Sequence, residues 1–138
     1  MRRIALLFIA LCLSLPAVAE RKQSFGELDV HYIAFNSSFL QPEIAAAVGL
    51  SRGKKQGVLN ISLLKAGQPT AAVVSGEMRN LLGQIHTLKF KQVSEGEAIY
   101  YLAQFPIEQQ EVLRFSLTIQ ATGGTTHSLD FNQELFPD

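Results

Sequence analysis

The sequence predicts an all-β protein, an immunoglobulin-like antiparallel β-sandwich of about seven strands with one short helix. Two observations predict this fold. Short runs in which apolar and polar residues alternate recur from Ser24 onward, and stretches rich in glycine or proline separate them. The predicted strands are Leu28–Phe35, Gly57–Lys65, Thr70–Met78, Gln84–Val93, Ala98–Phe105, Glu111–Ala121 and His127–Phe136.

Three of these segments are informative about their place in a sheet. Glu111–Ala121 alternates strictly between apolar and polar residues, which predicts a strand with one face on the core and the other in water. Residues 99–103 are apolar at both parities, so we expect this strand near the middle of a sheet or beneath a loop. The last segment is predicted to close a sheet edge or to pair with Glu111–Ala121 across the turn Thr122–Thr125.

One segment, Pro42 to Leu50, is predicted to be helical. Pro42 suits the first helical turn, and Glu43 lies close to the positive end of the helix dipole. Three consecutive alanines follow, and Gly49 can end the helix in a left-handed conformation. This helix would have barely two turns.

The N-terminus has the pattern of a secretory signal peptide. Arg2 and Arg3 precede a nearly unbroken apolar run from Ile4 to Leu15, and a small-residue cleavage site follows that ends at Ala19. The apolar run is too short to cross a bilayer, which takes about 20 residues. We therefore expect residues 1–19 to be a signal peptide cleaved after Ala19, residues 20–138 to form a single β-sandwich domain, and the protein to be periplasmic.

The composition excludes several classes of protein. The chain has 138 residues, with 12 basic and 12 acidic side chains and one cysteine, which argues against a disordered chain, a disulfide scaffold and a nucleic-acid binder. Removal of residues 1–19 leaves 119 residues, takes away the cysteine and leaves two more acidic than basic groups. The processed chain would then have no thiol chemistry and no membrane span.

The densest group of polar and aromatic residues runs from His31 to Leu40. Loop ends of β-sandwiches are common places for binding sites, and the basic loop that follows the helix could hold an anionic group. The alternative interpretation places Phe35, Phe39 and Leu40 in the core and makes Asn36 or Ser37 a cap or turn former. The candidate binding residues are His31, Tyr32, Asn36, Ser37, Arg52 and Asn60.

Catalytic and metal-binding signals are weak. The sequence around Ser75 lacks the frame of a nucleophile elbow, and Glu95 and Glu97 lie in a predicted exposed turn, where neither carboxyl group has a reason to stay protonated. The three histidines at 31, 86 and 127 have no short ligand spacing. We therefore predict no enzyme activity, no metal site and no cofactor.

The region between residues 31 and 63 resembles a known family. The runs that carry the resemblance are His31-Tyr32-x-x-Phe35-Asn36-Ser37-Ser38-Phe39-Leu40-x-Pro42, Gly49-Leu50-x-Arg52 and Leu59-Asn60-Ile61-Ser62. They are similar to the bacterial domain-of-unknown-function family 4426, which comprises small exported proteins. The resemblance implies a periplasmic immunoglobulin-like domain and implies no activity.

Three hypotheses for the function remain. The first is a non-enzymatic periplasmic sandwich that binds a protein or envelope partner through residues 31–55, with homodimerisation through an edge strand as a possible mode. The second is small-molecule or anion binding at the same end of the sandwich by Arg52, His31 and Asn36. The third is a hydrolase, which requires a serine and a histidine within hydrogen-bonding reach in a cleft.

Overall fold

The computed structural model describes residues 21–137, and these form two antiparallel sheets, one α-helix and one short 3₁₀-helix. The predicted signal peptide, residues 1–19, lies outside the described residues. The strands are β1 (Arg21–Phe25), β2 (Leu28–Asn36), β3 (Gln56–Lys65), β4 (Gln68–Pro69), β5 (Ala72–Arg79), β6 (Ile85–Leu88), β7 (Lys91–Glu95), β8 (Ala98–Pro106), β9 (Glu111–Ala121) and β10 (Thr126–Leu135). The 3₁₀-helix spans Ser37–Phe39, and the α-helix, α1, spans Pro42–Val48.

The two sheets pack face to face as a sandwich. The larger sheet has the order β1-β2-β3-β8-β7, with β4 paired to β3, and the smaller sheet has the order β10-β9-β5-β6. Alternate residues of each strand point into the space between the sheets and form one core, in which Phe105, Phe115 and Phe131 are buried. The ring of Phe115 contacts both other rings, at centroid distances of 5.1 and 4.9 Å. The predicted sandwich is thus the observed fold.

Strand β9 confirms the prediction from alternation. Its six odd-numbered residues are all buried, and its even-numbered residues are exposed or half-buried. β9 and β10 form a hairpin across residues 122–125, in register from Thr126 opposite Gln120 to Leu135 opposite Glu111. β10 lies at the edge of its sheet, so both expectations for the last strand hold.

The helix also forms where it was predicted. It begins at Pro42, and its C-cap is Gly49, whose φ of 72° lies in the left-handed region. The amide groups of Gly49 and Leu50 donate to carbonyl groups of the last turn, which satisfies acceptors that a helix end otherwise leaves open.

The number of strands differs from the prediction. Gln84–Val93, predicted as one strand, is two strands in different sheets: β6 pairs with β5, and β7 pairs with β8. The chain crosses between the sheets at Lys89 and Phe90, and Phe90 packs against the core. β1 and the two-residue strand β4 were not predicted, so residues 21–137 form ten strands instead of about seven.

Within residues 21–137, none of the helices has the length and apolar character needed to cross a bilayer.

Candidate functional site

The connection between β2 and β3, residues 37–55, crosses the outer face of the larger sheet, and we call it the crossing segment. Val58 lies on that outer face, opposite Phe35 and Gln104 in the register, yet it is fully buried. Ala45 of α1 is also buried. An antiparallel sheet normally leaves its outer face in water, so the segment acts as a cover over one end of this face.

Three side chains fasten the crossing segment. The Ser37 hydroxyl group donates to the Gly53 carbonyl at 3.0 Å and accepts from the Gly53 amide at 2.9 Å. The Arg52 guanidinium donates to the Ser38 carbonyl at 3.0 Å. The side-chain amide of Gln104, on β8, bonds both backbone groups of Ser51 at 3.1 and 2.7 Å. The two ends of the segment are therefore held together and tied to the sheet.

The six residues predicted from sequence lie in three different environments. Tyr32 and Asn36 point toward the other sheet, while His31 and Asn60 are on the outer face and Ser37 and Arg52 belong to the crossing segment. Tyr32 packs against Phe131 at a centroid distance of 4.5 Å, and the Asn36 side chain donates to the Phe136 carbonyl. The structure thus brings Ser37 and Arg52 together and separates both from Tyr32. A binding role for these six residues stays a prediction.

Two buried oxygen atoms on this side of the molecule have no hydrogen-bond partner among residues 21–137. They are the Ser38 hydroxyl oxygen in the crossing segment and the Asn60 side-chain oxygen on β3. A buried polar atom without a partner destabilises the folded protein by about 1–3 kcal/mol. Folding alone therefore does not explain these two polar side chains.

The part of the outer face that the crossing segment leaves open is a shallow groove. It has a volume of about 180 Å³, and its lining includes His31, Ser62, Pro69, Ala98 and Tyr100. These side chains are half-buried, and apolar atoms dominate the lining. His31 lies in the groove and Arg52 lies in the crossing segment. The two residues are therefore in different surroundings, although the sequence predicts one site for both.

The most unusual surface is one end of the sandwich, which was not predicted from the sequence. At this end, which we call the apolar end, β2, β5, β8 and β10 finish and β3, β6 and β9 begin. Of the eight large apolar side chains exposed among residues 21–137, only Val73 lies elsewhere. The other seven are Phe39, Ile44, Leu81, Leu82, Ile85, Val112 and Phe136. The adjacent leucines at 81 and 82 were the available signal, because they follow a strand and precede a glycine.

The histidines do not form a metal site. His31 lies on the outer face of the larger sheet, His86 is exposed on β6, and the ring of His127 stacks on Phe25 at a centroid distance of 4.5 Å. No group of three His, Cys, Asp or Glu side chains in the described part of the chain is placed to hold a metal ion.

Comparison with known families and structures identifies proteins that are similar to this chain. The family model DUF4426, a domain of unknown function, matches residues 22–138. The chain belongs to the DUF4426 family. A crystal structure of a DUF4426 family protein from Pseudomonas aeruginosa PAO1 is 51% identical and superposes with a TM-score of 0.81, covering 86% of this chain and 96% of that one. No curated protein gives a significant match.

More distant structures share the fold. A copper-bound variant of FetP from uropathogenic Escherichia coli strain F11 is 12% identical, with a TM-score of 0.63 over 84% of this chain and 94% of that one. FetP as isolated after expression in the periplasm is 11% identical, with a TM-score of 0.61 over 84% and 93%. At this identity the likeness shows the β-sandwich and carries no ligand to this DUF4426 protein.

Proposed function

We propose that this DUF4426 protein is a non-enzymatic periplasmic β-sandwich that binds a protein or other envelope partner through its apolar end. The observation that carries the proposal is the concentration of seven exposed large apolar side chains at that end. Contiguous exposed apolar surface on a soluble domain marks an interaction site, whereas single exposed apolar residues are ordinary. Val73, which lies apart from the other seven, is such a single exposed residue.

The crossing segment supports this assignment. It contributes Phe39 and Ile44 to the apolar end, and the bonds of Ser37 and Arg52 hold it in one conformation. A preformed surface loses less conformational entropy on binding than a flexible one. The predicted signal peptide supports a periplasmic location, as does the expression of the structurally similar FetP in the periplasm.

Site-specific crosslinking in cells tests the proposal. A photo-crosslinking amino acid replaces Phe39, which is 65% exposed, or Val73, which is 70% exposed and lies outside the apolar end. We expect discrete crosslinked products from position 39 and none from position 73. Equal products from both positions, or none from either, would contradict the proposal.

A second candidate function is small-molecule binding in the outer-face groove. The observation that favours it is the half-buried lining, in which His31, Ser62 and Tyr100 offer polar groups among apolar ones. A thermal-shift screen of metabolites and anions tests it, with Tyr100→Ala and Arg52→Ala as separate variants. A hit abolished by Tyr100→Ala alone assigns the groove, one abolished by Arg52→Ala alone assigns the basic loop, and a flat screen contradicts both.

A further inference from the structure

The turn between β5 and β6 is the most exposed part of the apolar end. Leu81 and Leu82 are 70% and 74% exposed at its tip. Gly83 follows with a φ of 81°, a left-handed conformation that lets the turn close tightly. The two leucines therefore project from a narrow hairpin, and Ile85 and Val112 stand exposed beside it.

The backbone amide groups of this turn all have acceptors within the protein. Every amide group from Asn80 to Gln84 donates to an acceptor of the chain: the amides of Leu82 and Gln84 donate to the Asn80 side chain, that of Gly83 to the Asn80 carbonyl, and that of Asn80 to the Gln84 carbonyl. The fifth, the Leu81 amide, donates to the buried carboxylate of Glu111 at 3.3 Å.

A turn whose backbone amides all donate within the protein is suited to an apolar environment. In water the amide groups of an exposed turn can donate to the solvent, whereas at the hydrocarbon edge of a bilayer there is little water to accept from them and an unsatisfied group is unfavourable. The turn combines two large apolar side chains at its tip with no open backbone donor. Both properties are needed by a segment that enters the membrane interface.

Two arginines lie directly below the tip. Arg79 and Arg114 are Cα partners on neighbouring strands of the smaller sheet, and both are exposed on its outer face. Neither guanidinium has a hydrogen-bond or ion-pair partner among residues 21–137. Like charges placed directly opposite each other destabilise a sheet. An anionic group bound between them would remove this repulsion.

The neighbouring charges permit such an anion. Asn132, the Cα partner of Arg114, offers a further polar side chain. The acidic side chains on this face are Glu134, opposite Val112, and Glu77 and Asp130, which are both Cα partners of Ser116. Glu111 points inward and accepts a hydrogen bond from the Leu81 amide. Arg79 and Arg114 therefore lie closer to the tip than Glu77 and Asp130, by two residues along each strand.

We propose that the β5–β6 turn is a membrane-insertion tip, with Leu81 and Leu82 entering the interface of an anionic phospholipid bilayer while Arg79 and Arg114 bind lipid phosphate groups. The inference rests on the proposed function and names its partner. The order of the groups fits a bilayer, because apolar side chains lie outermost and the cations lie two residues further in, Arg79 behind Leu81 and Arg114 behind Val112.

A tryptophan scan tests insertion directly, since the chain contains no tryptophan. Leu82→Trp and Val73→Trp place a single indole at two positions of similar exposure, 74% and 70%. Each variant is purified from the periplasm after export and mixed with vesicles of phosphatidylethanolamine and phosphatidylglycerol. We expect a blue shift and brighter emission for Leu82→Trp and no change for Val73→Trp. An equal response from both positions, or none from Leu82→Trp, overturns the inference.

Vesicle co-sedimentation measures how much each substitution changes the partition coefficient of the protein onto the vesicles. Leu81→Ser and Leu82→Ser should each lower the partition coefficient about tenfold, with Val73→Ser unchanged. Arg79→Gln and Arg114→Gln should each lower it about fivefold on anionic vesicles and hardly at all on phosphatidylcholine. Glu134→Gln should raise it on anionic vesicles. Arginine variants that bind anionic vesicles like the wild type overturn the phosphate assignment.

The outcome also separates this inference from the proposed function. If vesicles give no response but a crosslinker at position 82 or 39 captures a discrete protein in cells, the lipid inference is wrong and the proposed function stands. If neither vesicles nor crosslinking gives a signal, both are wrong.

Discussion

The two neighbouring serines of the crossing segment should respond oppositely to the same substitution. Ser37 is fully buried, and its hydroxyl group bonds both the amide and the carbonyl of Gly53. Ser37→Ala removes two hydrogen bonds and leaves the Gly53 amide without a partner, while the Gly53 carbonyl keeps the Gln56 amide as its donor. Because an unsatisfied buried group costs about 1–3 kcal/mol, we expect a loss of about 2 kcal/mol in the free energy of unfolding.

Ser38 provides the matched control. Its hydroxyl oxygen is buried and has no partner among residues 21–137, so Ser38→Ala removes a polar atom whose burial is already unfavourable. We expect this variant to match the wild type or to be up to about 1 kcal/mol more stable. The two substitutions delete the same atom from adjacent residues and differ only in its partners.

Urea unfolding measures both changes, and the m-value should stay constant because the buried surface hardly changes. For a chain of this length, about 2 kcal/mol corresponds to a fall of about 8 °C in Tm. Hydrogen exchange adds a local readout, since the Gly53 amide should lose protection in Ser37→Ala and keep it in Ser38→Ala. Equal destabilisation by the two substitutions, or none by Ser37→Ala, would refute the reasoning.

Two further substitutions test the packing of the sandwich. Gly76→Ala should cost about 2 kcal/mol in urea unfolding, because the added Cβ would lie 2.5 Å from the Ser116 carbonyl oxygen; the control Gly53→Ala, whose nearest contact is 3.6 Å, should cost less than about 0.5 kcal/mol. Arg21→Met should cost about 1 kcal/mol, because the guanidinium lies 5.0 Å from the Tyr32 ring centroid and donates to the Asn132 carbonyl and the Gln133 side chain; an unchanged unfolding midpoint would show that these contacts together contribute nothing.

The alternation of apolar residues predicts strands well but cannot show a change of sheet. Leu88, Phe90 and Gln92 share one parity, and the chain passes from the smaller to the larger sheet between them. Leu88 is buried and Phe90 packs against the core, while Gln92 is the Cα partner of the core residue Tyr101. Because the core-facing parity continues through the crossing, one long strand and two short ones give the same pattern.

The candidate site was less predictable because it depends on contacts distant in sequence. The polar and aromatic content of residues 31–40 predicts a binding site there, yet alternation points Tyr32 inward and His31 outward, so neighbours in sequence face different surfaces. The role of Ser37 depends on Gly53, sixteen residues away. Because Ser37 bonds to backbone groups, the residue types in the sequence do not reveal this contact.

The apolar end shows a different limit, because exposure cannot be read from residue type. Leu81 and Leu82 resemble core residues in the sequence, and only the pairing of Gly76–Arg79 with Ile85–Leu88 places them on a turn outside the sheet. The turn is nevertheless fixed by the side chain of Asn80 and by Glu111, which is buried at the start of β9. A buried carboxylate thus holds a turn whose two leucine side chains are exposed to water. The combination of a rigid frame with an exposed apolar tip is unfavourable for the isolated protein, and binding of the tip to a partner would offset that cost.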